Sequence, residues 1–227
     1  MWQLYKYQPI NQFSLSNLAA RKLWASHPAV FNDPFEFRLQ RANEGIGLVE
    51  LRNSNPHLSK LNDTELIALA IDSYEEALKA MSVICFTTIP DSILMWAHYA
   101  ESHRGICLGF CGEEKDKTPN DVGVYPVQYK DEYPSLDFSR IWHKDGLAQI
   151  LWTKSKVWAY EKEWRRIMAQ PNSLVEYPGR LNKIIFGLRT TDSDRRTLRS
   201  ILANHRGLEY CQIVQDDNAY MFHVQII

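Results

Sequence analysis

The 227-residue chain predicts an α+β fold, with a largely antiparallel β-sheet core, continuous or split, flanked by helices. Three observations carry this expectation. Short runs rich in β-branched, aromatic and cysteine residues (SVICFT, GICLGF, LNKIIFGL, LEYCQIV) outnumber the long helical patterns. They do not alternate regularly with helices, as a parallel βαβ sheet would require. The last two runs, LEYCQIV and AYMFHVQII, flank QDDN as hairpin strands do. No internal repeat or linker divides the chain, so one domain over 1–227 is expected, with a variable excursion around 41–60.

The elements follow in order. Residues 2–7 read as a strand ended by Pro9, and Ser14 to Leu23 as a helix. LWAS is a second strand, followed by FNDPFEF, a corner in which Asn32 and Asp33 precede Pro34. LNDTELIALAIDSYEEALKAM is the clearest helix, with a capping box from Asn62 to Glu65 and one apolar stripe from Ile67 to Met81. SVICFT is a buried strand, MWAHYA a short helix, and DVGVYPVQY a strand that Pro126 confines to an edge or bulge. Asp145 to Lys156 reads as a helix leading into a strand from about Glu161 to Met168. LNKIIFGL is the next strand, and TTDSDRRTLRSILANHRG a helix ended by Gly207.

Composition excludes several classes. Net charge is -1, so no global basic field argues for nucleic acid or anionic membrane, though a local patch stays open. No apolar run reaches the ~20 residues of a membrane helix, and the N-terminus lacks a signal-peptide pattern. The four cysteines, Cys85, Cys107, Cys111 and Cys211, form no CxxC pair and sit in strand-like runs. A reduced, cytoplasmic protein without a metal site is the expectation.

Four segments can carry chemistry. In WAYEKEWRRIM, a strand would put Glu161, Glu163 and Arg165 on one face, with Trp164 and Met168 packed behind. Two carboxylates so placed can take different roles on one substrate. On composition alone an exposed strand face with a cross-strand salt bridge is the favoured reading, and a continuing helix would instead align Trp158, Glu161 and Arg165. The FNDPFEF corner offers Asn32, Asp33 and Glu36 either as turn-formers or as ligand contacts. MWAHYAESHRG places Trp96, His98, Tyr99 and His103 among aromatics, and the five-residue histidine spacing does not suit a zinc pair. LYKY and KLWAS add Tyr5, Lys6, Tyr7, Trp24 and Ser26, plain sheet residues unless they meet the other segments. Gly105 and Gly109 admit a close approach or a bulge.

Taken together, LYKY, KLWASHPAVFNDPFE, ICFTTIPDSILMWAHYAESHRGICLGF and KSKVWAYEKEWRRIM resemble a microbial and phage-associated family, domain of unknown function twenty-nine seventy-one. The resemblance runs over nearly the whole chain and is weakest at 41–80 and 111–150. The order of these blocks is also similar to the ADP-ribosyltransferase superfamily. That resemblance implies an ExE strand with Glu163 as the catalytic glutamate on the nicotinamide ribose and Glu161 as its partner. Ser26 would then fall near the second motif, and Lys6 where the superfamily usually has His or Arg. The block WASHP departs from the Ser-Thr-Ser pattern of one branch.

Three functions follow as expectations. The first is an NAD-using transferase or NAD glycohydrolase, in toxin or anti-phage conflict, with NAD as substrate and the acceptor, nucleic acid or protein, left open. Tyr5, Tyr7, Trp24 or Tyr99 would sandwich nicotinamide. The second is a metal-dependent nuclease with Asp33, Glu36, Glu161 and Glu163 on Mg²⁺ and Lys156 or Arg165 on a phosphate. The third is a binding or sensor domain in which Glu161, Glu163 and Arg165 are spent on internal salt bridges, with no concave pocket beside them.

Overall fold

A computed structural model describes residues 2–40, 47–112, 119–135, 138 and 149–227. The fold is α+β, with a mostly antiparallel main sheet. Twelve strands are described: β1 Gln3–Gln8, β2 Lys22–Ala25, β3 Ser82–Thr87, β4 Ile106–Cys111, β5 Val124–Pro126, β6 Gln128–Lys130, β7 Thr153–Ser155, β8 Glu163–Met168, β9 Ser173–Glu176, β10 Arg180–Phe186, β11 Glu209–Gln215 and β12 Phe222–Ile226. Eight of them form one sheet in the order β12-β11-β10-β4-β1-β3-β8-β5, while β2 pairs with β9 and β6 with β7. Within the large sheet only β10 and β11 run parallel.

That sheet is split at its middle. β1 pairs with β4 along its whole length, from Gln3↔Cys111 to Gln8↔Ile106, but meets β3 only at Tyr5↔Thr87. At its other end β3 exchanges both backbone bonds between Val83 and Ser26, the residue just past β2. The edge of β3 around Cys85 therefore faces a gap between β1 and the end of β2. Both flanks of the gap are rigid, because β3 is paired with β8 over six residues.

Helices cover the sheet: α1 Gln12–Ala19, α2 Leu48–Ser54, α3 Asp63–Lys79, α4 Ile93–Tyr99 and α5 Asp192–Ile201. Leu4, Leu18, Ile106, Leu108, Phe110, Ile184 and Leu198 belong to one core, which includes residues of α1 and α5. Tyr7, Met95, Trp96, Cys107 and Ile185 form a second with α4. The stripe on α3, capped by the expected reciprocal bonds of Asn62 and Glu65, feeds a third through Leu66, Ala70 and Tyr74. All four cysteines are free and lie on strands, as their apolar surroundings suggest.

Several boundaries differ from the sequence reading. The first helix stops at Ala19 because Arg21 turns left-handed (φ 56°) to start β2. Within the expected excursion at 41–60, residues 48–54 are helical, and residues 41–46 lie outside the described residues. Of the helix expected from Asp145 to Lys156, residues 149–151 are helical and Thr153–Ser155 form a strand; residues 145–148 lie outside the described residues. β9, four residues between Gln170-Pro171 and Tyr177-Pro178, has no counterpart in the sequence reading. Pro126 ends an edge strand as its missing N–H demands.

Gly105 shows the close approach its sequence context allowed. A Cβ there would stand 2.3 Å from the Gln8 carbonyl oxygen and 3.0 Å from the Ala100 backbone. Gly105→Ala is expected to destabilise by about 1–3 kcal/mol through forced backbone displacement. Urea unfolding checks it, and an unchanged midpoint would contradict this packing.

Candidate functional site

The split holds a cavity of about 250 Å³. Its walls come from β1 (Tyr5, Lys6, Tyr7), from the corner after β2 (Ser26, Phe31, Asn32, Asp33, Glu36), and from β3 (Val83, Cys85, Thr87). Met95 and Tyr99 of α4 close one side, and Lys154, Glu161 and Glu163 form the acidic, cation-studded remainder.

Glu161 and Glu163 reach this place by different routes. Lys156–Glu161 is a 3-10 turn, and Lys162 is left-handed (φ 46°), so Glu161 precedes the strand rather than sharing its alternation. Its carbonyl accepts the Thr87 hydroxyl at 2.5 Å, which pins the turn to the end of β3. Glu163 opens β8 opposite Thr87, and its N–H donates to the Tyr129 hydroxyl at 2.7 Å. Arg165 follows on the same face, while Trp164 and Met168 pack against the main core as expected.

A network of charges joins these residues. Lys154 Nζ lies 2.5 Å from Glu161, 2.9 Å from Glu163 and 3.2 Å from Glu36. Arg165, fully buried, donates Nε to Glu163 at 2.7 Å and Nη2 to both Glu36 oxygens at 2.7 and 2.9 Å. Its remaining Nη1 donates to the Leu151 carbonyl at 2.9 Å, and its guanidinium covers the Phe37 ring. The Tyr99 hydroxyl donates to the second Glu161 oxygen at 2.6 Å. Three carboxylates thus face two cations, and the cluster retains one excess negative charge when all are ionised.

The carboxylates are not equivalent. Burial works against the charge of Glu163, but Arg165 and Lys154 overcome it and hold its pKa at about 2. Burial raises Glu161, and Lys154 offsets this only in part. Glu36 is raised in the same way despite Arg165. Burial also opposes the charge on Lys154, yet Glu163, Glu36 and Glu161 lift it above its ordinary range. Tyr99 is raised by burial and by the Glu161 charge, so it stays a donor. The site therefore holds a firmly ionised Glu163 beside a Glu161 that takes a proton more readily.

Lys6 is in the opposite condition. It alternates with Tyr5 and Tyr7 on β1, so its side chain leaves the strand on the other side and crosses the split. Among the described residues the one hydrogen bond of its amine is to the Cys85 carbonyl, at 3.5 Å. Burial lowers its pKa, with only partial opposition from Cys85 and Glu163.

The structure gathers Tyr5, Lys6, Tyr7, Ser26, Asn32, Asp33, Glu36, Tyr99, Glu161 and Glu163 around one cavity. Six other candidates sit elsewhere. Trp24 packs edge-on against Phe13, and Trp96 is a fully buried core residue against Tyr7. His98 is exposed beside Tyr99 and Trp158. Arg165 lies behind the carboxylates rather than against the cavity, as its buried fork shows. His103 is left-handed (φ 70°) and lies edge-on to Phe222, away from the split. Asp33 spends one oxygen on the Phe35 N–H at 2.9 Å, a turn role that keeps the corner in place. Lys156 is exposed and pairs with Asp131. Lys154 is the residue the sequence reading missed, because it fell within the expected helix.

The carboxylate convergence required by the nuclease reading exists for Glu36, Glu161 and Glu163, but the Lys154 ammonium stands at its centre. Among the described residues no group of three His, Cys, Asp or Glu could hold a metal ion. No helix among them is long and apolar enough to cross a membrane.

Residues 95–166 match the family described as Protein of unknown function (DUF2971). The match spans the MWAHYA and YEKEWR blocks and thus α4, Lys154, Glu161 and Glu163; LYKY and NDPFE lie outside it. It also includes 111–150, where the resemblance was expected to be weakest. No curated protein and no solved structure matches the chain. None of these comparisons brings in the ADP-ribosyltransferase superfamily.

The depressed pKa of Glu163 sets a pH signature. A carboxyl at about 2 when folded and 4.5 ordinarily contributes stability that is fully present above pH 4.5 and lost as pH falls towards 2. Glu163→Gln is expected to lower the thermal midpoint at neutral pH and to flatten its fall through that acid window. An acid limb superimposable on wild type would contradict the assignment.

Proposed function

We propose that the split-sheet cavity binds the nicotinamide-ribose half of NAD and supports cleavage of its glycosidic bond. The supporting observation is one cavity shared by the β1 aromatics, the NDPFE corner and two glutamates of unequal proton affinity, with one carboxylate charge in excess. At about 250 Å³ it is smaller than the roughly 300–1,000 Å³ of pockets that enclose drug-sized ligands. It suits a nucleoside half, the rest of the dinucleotide lying outside.

In this reading the C1′–N bond breaks and its electron pair leaves with nicotinamide. Positive charge develops on the ribose, and the ionised Glu163, fixed by Lys154 and Arg165, lowers its energy electrostatically. Glu161, held by Lys154 and Tyr99, takes the proton of the attacking water or acceptor hydroxyl. Tyr5 and Phe31 supply apolar faces for the ring, while the Tyr7 hydroxyl is tied to the Ile89 carbonyl at 2.9 Å. Consumption of NAD would fit toxin action or phage defence, and the acceptor would be water, a protein or a nucleic acid.

A second reading is favoured by the same ion pairs. Glu163 spends both oxygens on Arg165 and Lys154, which suits a site that binds a small molecule without turnover. One experiment separates the two: nicotinamide release and NAD binding by the pure protein, beside Glu163→Gln and Glu161→Gln. Turnover predicts release, slowed at least about 100-fold by either substitution. Saturable NAD binding without release supports the second reading, and neither binding nor release removes NAD from the account.

A further inference from the structure

The two lysines of the cavity are in contrasting states, and the difference has a chemical consequence. Lys154 is saturated: three carboxylates surround it, and it is fixed as an ammonium. Lys154 and Arg165 together engage all three carboxylates of the cluster, and Lys6 has no carboxylate within 4 Å among the described residues. Among the described residues the Lys6 amine has one long contact, the Cys85 carbonyl, at a cavity that Tyr5, Tyr7 and Met95 also line. Its strand is held in register against β4, with Lys6 opposite Leu108, so the amine is positioned by the sheet.

We propose that Lys6 is a nucleophilic amine that captures a small aldehyde or ketone in this cavity as an imine. The proposal goes beyond the NAD reading and does not depend on it. The lone pair of the neutral amine attacks the carbonyl carbon, and the resulting carbinolamine loses water to give a protonated imine. Nothing is oxidised or reduced, and the water released is the only by-product. The environment favours the first and last stages. Burial shifts Lys6 towards its neutral, nucleophilic form. Both Glu161 oxygens accept, from Tyr99 and Lys154, so solvent water supplies the proton for the departing hydroxide. The excess carboxylate charge favours the iminium cation that results.

The test is reductive trapping on the full chain. The protein is incubated near neutral pH with glycolaldehyde and cyanoborohydride, and peptide mass spectrometry reads which lysines gain the adduct. Lys6 is expected to be modified at least about tenfold faster than exposed Lys156 and Lys162, with saturation in aldehyde concentration. Lys6→Arg is expected to remove the fast, saturable phase and leave the slow one. Because the adduct is located by peptide mass in wild type, the answer does not depend on the variant folding. Labelling of Lys6 no faster than the exposed lysines, or no labelling of it at all, overturns the proposal. NAD takes no part in the trapping, so its outcome and that of nicotinamide release are independent.

Discussion

The structure around the split depends on one buried cation, Lys154, held between Glu36, Glu161 and Glu163. These carboxylates come from a corner, a 3-10 turn and a strand. Taking such groups out of water costs several kcal/mol per ion, and only close, fully bonded partners repay it. Arg165 completes the arrangement from behind, fixing Glu163 and Glu36 while its last donor goes to a backbone carbonyl. The cluster is therefore worth little as a simple source of stability. Its value lies in holding two glutamates of different proton affinity at the wall of a cavity.

The cavity follows from a defect in the sheet. β3 is shared between two partners, Thr87 with Tyr5 of β1 and Val83 with Ser26, and the edge between them opens at Cys85. The β1–β4 and β3–β8 ladders on either side are uninterrupted, so the opening cannot close without breaking one of them. Tyr7 reinforces the gap by bonding across it to Ile89. The wall is thus rigid backbone, and the chemistry it presents is set by side chains from four segments distant in sequence.

Much of this was legible in the sequence. The antiparallel α+β class followed from strand-like runs without helical alternation, and the α3 cap from the spacing of Asn62 and Glu65. The meeting of LYKY, NDPFE and the late glutamates was carried only by resemblance, since spacing says nothing about contacts more than 100 residues apart. Glu161 is instructive: its position relative to Glu163 suggested strand alternation, whereas a left-handed Lys162 brings it to the same cavity from a tight turn. Lys162 is not a glycine, so nothing in the sequence marks its left-handed backbone. Lys154 was hidden because DGLAQILWTKSK has helical periodicity, and its last residues become strand only through pairing with Gln128–Lys130. The usable clue was charge balance: three carboxylates brought together with a single guanidinium call for another cation close in sequence. Trp96 shows the reverse, an aromatic offered to a ligand that packs in the core against Tyr7, while the half-buried Trp24 lies against Phe13.

The central claim is that Lys154 and Glu161 form a coupled pair within one buried network. A double-mutant cycle with Lys154→Met, Glu161→Gln and the combined variant, read by urea unfolding at neutral pH, tests it most directly. The account predicts a coupling energy of at least about 1.5 kcal/mol, with the double variant markedly more stable than the sum of the single losses implies. Additivity within about 0.5 kcal/mol would contradict it, because two groups that do not sense each other cannot be organising one site.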